Sequence, residues 1–185
     1  MKKRSGFTLI ELMVVLAIAA ILVTLAAPSF VRLIQSSQVT GAVNTFLADV
    51  RFARSEAVRL GSTVTMCFRR STDDATGPYC GSDTTVGWAN GWVIFRDINE
   101  DGTRDYNSDA SLNDTMLRIQ DPITAIGTIP QTSASVKKFK FLPTGRMLNP
   151  VTLTFGGSYP IDVQRNVCLN VGGRARVGTT DNPCP

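Results

Sequence analysis

The densest group of ligand-type side chains in the sequence is Asp97-Ile98-Asn99-Glu100-Asp101-Gly102-Thr103-Arg104-Asp105. It sets oxygen donors at the first, third, fifth and ninth places and glycine at the sixth, the spacing with which a calcium loop wraps a hard cation. The twelfth place is Ser108, where such a loop carries a bidentate glutamate, so the missing ligand would come from Asp109 or from a second strand. The plainer reading is a polar hairpin turn in which Asp, Asn and Gly serve backbone geometry alone. The sequence therefore predicts no metal centre, and Asp97, Asn99, Asp101 and Asp105 are the calcium candidates to check.

A second group is Gly173-Arg174-Ala175-Arg176, close to the C-terminus. If it opens an edge strand, the two-residue period puts Arg174 and Arg176 on one face and Ala175 and Val177 on the other. Guanidinium groups are planar forks of donors matched to phosphate oxygens, and Gly172 and Gly173 leave the backbone free to turn and expose the pair. Lys137, Lys138, Lys140, Arg146 and Arg165 could widen this basic surface, depending on the fold. No aromatic residue adjoins the motif, so nucleic-acid binding here would be electrostatic, salt-sensitive and indifferent to sequence. The same arginines could instead block strand pairing at a sheet edge or contact a neighbouring subunit.

The third chemically marked residue is Glu11, the one ionisable side chain between Phe7 and Ala27. As a helix those residues measure about 31 Å, enough to cross a hydrocarbon core of roughly 30 Å. Lys2, Lys3 and Arg4 precede the run and orient it with the C-terminal part across the membrane. A cleaved secretory signal with a site near Ala26 and Ala27 is the competing reading, but the apolar run is too long for one and holds a charge. In a plain anchor Glu11 would cost roughly 2.5 to 3.5 kcal/mol at mid-membrane, so the carboxylate calls for a partner.

Enzyme chemistry finds little support. The sequence has no histidine, which removes the commonest general base and zinc ligand. Asp73 and Asp74 fall in loop sequence, and no spaced nucleophile and base occur, so no catalytic residue and no cofactor are predicted. The four cysteines suit an oxidising compartment. They allow three connectivities, of which the local pairs Cys67–Cys80 and Cys168–Cys184 are favoured. The formal charge of +4 includes Lys2, Lys3 and Arg4, so it says little about partners.

The elements that would position these groups follow from hydrophobic periodicity. After Pro28, which should loosen the helix without ending it, Val39, Val43, Phe46, Val50, Ala53, Ala57 and Leu60 recur at helical intervals, with Arg51, Arg54, Ser55 and Arg59 on other faces. Gly61 is the expected stop. The period then changes to two: Val64, Met66 and Phe68; Trp92 and Ile94; Phe139 and Phe141; with further short strands at 116–119, 151–155 and 163–171. The expected fold is α+β, a long N-terminal helix packed on antiparallel sheet as a meander, with one sheet face on the helix. The expected divisions are 1–6, a short basic leader; 7–27, a membrane-spanning helix; 28–61, its amphipathic continuation; and 62–185, a β-rich exported domain.

Lys2-Lys3-Arg4-Ser5-Gly6 followed by Phe7-Thr8-Leu9-Ile10-Glu11-Leu12 resembles the prepilin signature of type IV pilins and type II secretion pseudopilins. The region 48–61, the segment Gly91-Trp92-Val93-Ile94-Phe95-Arg96-Asp97 and the late Gly-Arg motif are similar to the minor pilin and minor pseudopilin group that includes FimT, FimU and GspH. The resemblance implies a pilin-like fold and cleavage by prepilin peptidase between Gly6 and Phe7, with N-methylation of Phe7. It makes Glu11 an assembly residue that pairs with the new amino terminus of a neighbour. The implied partners are other minor and major pilins, the inner membrane and the peptidase. The implied location is single-pass in the inner membrane, with the C-terminal domain in the periplasm until assembly. Gly173, Arg174 and Arg176 match the DNA-contacting motif of FimT-type minor pilins, which implies capture of double-stranded DNA at a pilus tip. The alternative is a GspH-like minor pseudopilin without DNA binding.

Overall fold

The computed structural model describes residues 8–70, 79–81, 87–105, 113–129 and 137–179, with residue 25 described by its backbone alone. One helix, α1 (Leu9–Leu60), dominates it. Thr8 caps the N-terminus and Glu11 completes a capping box. The helix runs through Pro28 and stops at Gly61, whose left-handed φ of 57° lets its amide donate to the Ala57 carbonyl. Every described side chain from residue 9 to residue 34 is exposed. Beyond that the expected stripe appears, with Val39, Val43, Phe46, Val50, Ala53 and Ala57 buried.

The strands are β1 (Val64–Phe68), β2 (Trp92–Arg96), β3 (Thr115–Gln120), β4 (Lys138–Phe141), β5 (Val151–Phe155), β6 (Arg165–Leu169) and β7 (Ala175–Gly178). They form two antiparallel sheets, ordered β3-β2-β1-β4 and β5-β6-β7. The expected single meander holds only in the second. In the first, β4 returns past β3 and β2 to pair with β1, Phe139 opposite Met66 and Phe141 opposite Val64. This makes the fully buried β1 a central strand.

Phe46 of α1 joins the two sheets. Its ring meets Trp88, Trp92, Phe139 and Phe155 edge-on at centroid distances of 5.8, 5.2, 6.1 and 5.3 Å. Burying each such side chain contributes roughly 2–3 kcal/mol, so the helix is held mainly by apolar contact. Asp49, also buried, accepts from Trp92 Nε1 at 2.8 Å and from Arg118 Nη1 at 2.5 Å.

The other face of the first sheet is covered too, against expectation. Cys67, Val93 and Phe95 form a small second core with Cys80 and Met116 beside it. The Cys67–Cys80 disulfide ties the segment holding Cys80 to β1 over that core. Cys168 is disulfide-bonded as well, and Cys184 lies outside the described residues.

Candidate functional site

Three places carry the chemistry. At the N-terminus, Glu11 Oε2 accepts from the Thr8 amide and the Thr8 hydroxyl, each at 2.9 Å, and the Glu11 amide donates back to Thr8 Oγ1 at 3.3 Å. The carboxylate is thus folded toward the residue that follows Phe7, which with Gly6 lies outside the described residues. Around it the helix surface is bare and apolar: Leu9 is 77 % exposed, Phe30 63 % and Ile34 55 %. This half is long and apolar enough to cross a membrane, its most apolar window having a mean hydropathy of 2.8 and no burial. A helix apolar on all sides is stable in water only when something else covers it.

The second place is built by two turns that cross. The turn after β4 is closed by Gly145 N to Leu142 O at 2.7 Å, the turn before β7 by Gly173 N to Asn170 O at 2.8 Å, and Met147 N to Val171 O joins them at 2.8 Å. Gly173 has φ +69°, and a Cβ there would stand 2.2 Å from Gly145 O, so only glycine permits the approach. Arg54 of α1 lies against both glycines: its Nε would be 3.1 Å from a Cβ at Gly145 and 3.3 Å from one at Gly173. Arg146 follows the first glycine, Arg174 the second, and Arg51 sits one helical turn before Arg54. An open hollow of about 450 Å³ runs along the helix here, lined by Arg51, Arg54, Ser55, Val58 and Arg59.

β7 is an edge strand, with Arg176 opposite Cys168 and Ala175 opposite Leu169. Leu169 is in the core, so Arg174 and Arg176 share the parity of the outer face. Arg174 and Arg176 are exposed. Among the described residues Arg51, Arg54, Arg146, Arg174 and Arg176 have no acidic partner. Arg59, by contrast, is paired with Glu56, Nε to Oε1 at 3.0 Å, and this hydrogen bond holds the Glu56 carboxyl below its usual range.

Only part of the expected basic surface converges here. Lys138 and Lys140 donate to the carbonyls of Asp101 and Glu100, and Arg165 donates to those of Asp162, Val163 and Gln164. Arg146 does join. Arg54 and Arg51 are the additions that sequence reasoning missed, because nothing in a helical pattern shows two glycine turns docking on it.

The third place is the acidic turn after β2, which folds back over the first sheet. Asp97 Oδ2 accepts from Thr65 Oγ1 at 2.6 Å and from the Gly102 amide at 2.8 Å. Asn99 Oδ1 accepts from the Asp101 amide and Asp101 Oδ1 from the Thr103 amide. Asp105 Oδ2 accepts from Asn99 Nδ2 at 2.7 Å. Asp114, just before β3, accepts from the amides of Ile98 and Asp105. Burial, with the charges of Asp97 and Asp105 beside it, pushes the Asp114 carboxyl above its usual range, against the pull of those two amides. Ser108 and Asp109 lie outside the described residues.

Comparison with known proteins places this geometry. A family model described as type II transport protein GspH matches residues 42–173, and one described as the prokaryotic N-terminal methylation motif matches residues 1–27. Among solved structures, the type IV minor pilin FimU of Pseudomonas aeruginosa matches in two crystal forms. The P21 form is 20% identical, with 79% of this chain and 92% of that chain covered and a TM-score of 0.55. The P65 form is also 20% identical, with 77% and 94% covered and a TM-score of 0.50. The minor pseudopilin EpsH from the type 2 secretion system of Vibrio cholerae is a looser match, 14% identical over 77% of this chain and 97% of that one, at a TM-score of 0.44. No curated protein sequence matches the chain. The shared fold is the long helix against antiparallel sheets. Gly173 is the last residue matched by the first family model, so Arg174 and Arg176 lie just beyond it.

Proposed function

We propose that this chain, which belongs to the GspH family of type II transport proteins, is a minor subunit of a type IV pilus, held in the inner membrane until it enters the filament. The observation that carries the proposal is the bare start of α1, where Glu11 is the one ionisable side chain as far as Ala27. In this reading prepilin peptidase cuts between Gly6 and Phe7 and Phe7 is N-methylated. Residues 7–27 span the membrane once, with residues 62–185 in the periplasm, and then pass into a bundle of pilin helices. Glu11, already turned toward the N-terminus by Thr8, pairs with the new ammonium group of a neighbouring pilin, which offsets the cost of a buried charge. Detection of the chain in sheared filaments supports the role; retention in the membrane while filaments form opposes it.

The unpaired arginines add DNA capture. Arg174 and Arg176 at the edge strand, with Arg146 and the helix-borne Arg51 and Arg54 around the glycine crossing, offer phosphate-matched cations, and no aromatic residue adjoins the Gly-Arg motif in the sequence. The ligand is double-stranded DNA without sequence preference. Binding by the full chain in detergent micelles should fall steeply with salt, and Arg174→Ala with Arg176→Ala should remove most of it. Arg54→Ala alone should lower the slope of log K against log salt by about one if it contacts a phosphate. No binding at low salt would favour the second reading, a minor pseudopilin of type II secretion, to which the description of the matching family model itself points.

A further inference from the structure

We propose that the turn after β2 is a calcium-binding loop, with Asp97 Oδ1, the side-chain oxygens of Asn99, Asp101 and Asp105, the Thr103 carbonyl and the Asp114 carboxylate as its oxygen ligands. Asp97 is 0% exposed, and its Oδ1 is buried without a hydrogen-bond partner among the described residues. Its sister oxygen accepts from the Gly102 amide and from Thr65 Oγ1, which fixes the carboxylate between the turn and β1 and leaves Oδ1 buried beside the turn. A buried carboxylate oxygen facing no donor calls for a cation.

The charge balance points the same way. Among the described residues, none of Asp97, Asp101, Asp105 and Asp114 has a cationic partner. The two lysines beside the loop, Lys138 and Lys140, bind its backbone carbonyls at Asp101 and Glu100 and leave the carboxylates uncompensated. Gly102 occupies the sixth place with φ +75°, the sharp turn that lets such a loop close. Asp114 stands where the sequence lacked a twelfth-place acid: from the start of β3 it reaches the amides at the second and ninth places.

The donors are all oxygen and mix carboxylate, amide and carbonyl, which suits calcium with its flexible six to eight ligands better than magnesium with its strict octahedron. Among the described residues no three acidic side chains are already gathered at one point. Calcium binding therefore has to bring these carboxylates together, and the ion and the shape of the turn are coupled. The Cys67–Cys80 disulfide indicates an oxidising, extracytoplasmic setting, where such loops bind with constants of about 10⁻⁴ to 10⁻³ M.

The full chain in detergent micelles, stripped with chelator, is titrated calorimetrically with CaCl2 and separately with MgCl2. The expected result is one calcium per chain in that affinity range, with magnesium at least tenfold weaker. The thermal transition of the domain should rise by roughly 5–10 °C when calcium is about 100-fold above its dissociation constant. Asp97→Asn risks the fold through Thr65 and Gly102, so the deciding variants are Asp101→Asn and Asp105→Asn. Each should unfold at the wild-type temperature in chelator and bind calcium at least tenfold more weakly. No heat and no thermal shift in about 5 mM calcium, equal binding of magnesium, or wild-type affinity in both variants would each overturn the assignment.

Discussion

Residues 9–34 and 39–57 of α1 belong to one unbroken rod, yet they meet the rest of the molecule in opposite ways. The later segment presents a stripe from Val39 to Ala57 that the two sheets cover completely, with charged and polar residues on its remaining faces. The earlier segment is exposed throughout and apolar as far as Ala27 apart from Glu11, and its ion pair with the domain is Arg32 with Asp162 at 3.5 Å near its end. A one-sided stripe is matched by one partner surface; an all-round apolar helix needs lipid or a ring of other helices. The hydrophobic pattern therefore assigns each half its partner: the protein's own sheets for one, other molecules for the other.

That contrast predicts a graded series of mutational effects. Phe46→Ala empties the ring cluster that joins both sheets and should cost about 3–5 kcal/mol in chemical unfolding of the domain. Asp49→Ala leaves the buried Trp92 indole without its acceptor and releases Arg118, and should cost about 2 kcal/mol by the same measurement. Gly61→Ala puts a side chain at a left-handed helix stop and should lower stability by about 1 kcal/mol. In the bare half, Leu16→Ala should leave domain stability within about 0.5 kcal/mol of wild type. Glu11→Ala should do the same while reducing the amount of chain recovered in filaments. A large loss of domain stability from Leu16→Ala would break the distinction between the halves.

The helix, its stop at Gly61, the strand positions and the shared face of Arg174 and Arg176 were legible because they rest on local periodicity. The pairing of β4 with β1 was not, since order in a sheet depends on contacts between residues far apart in sequence. The covered outer face had a signal: Trp92-Val93-Ile94-Phe95 has no polar alternate, as expected of a strand buried on both faces. Arg54 gave none, because its place depends on Gly145 and Gly173 meeting over the helix. The acidic turn was visible as spacing, but the orphaned oxygen of Asp97 and the closing role of Asp114 appear only in the folded chain.

The most direct test of filament entry is cysteine cross-linking in cells that assemble filaments, with Val14→Cys placed in the bare half of the helix. The account predicts a cross-linked product between this position and the helix of a neighbouring pilin, lost when Glu11→Ala is added while the protein stays in the membrane. If Val14→Cys never links to a pilin during assembly, or links equally well without Glu11, the first half of the helix is a lipid anchor and the claim that it becomes filament core is wrong.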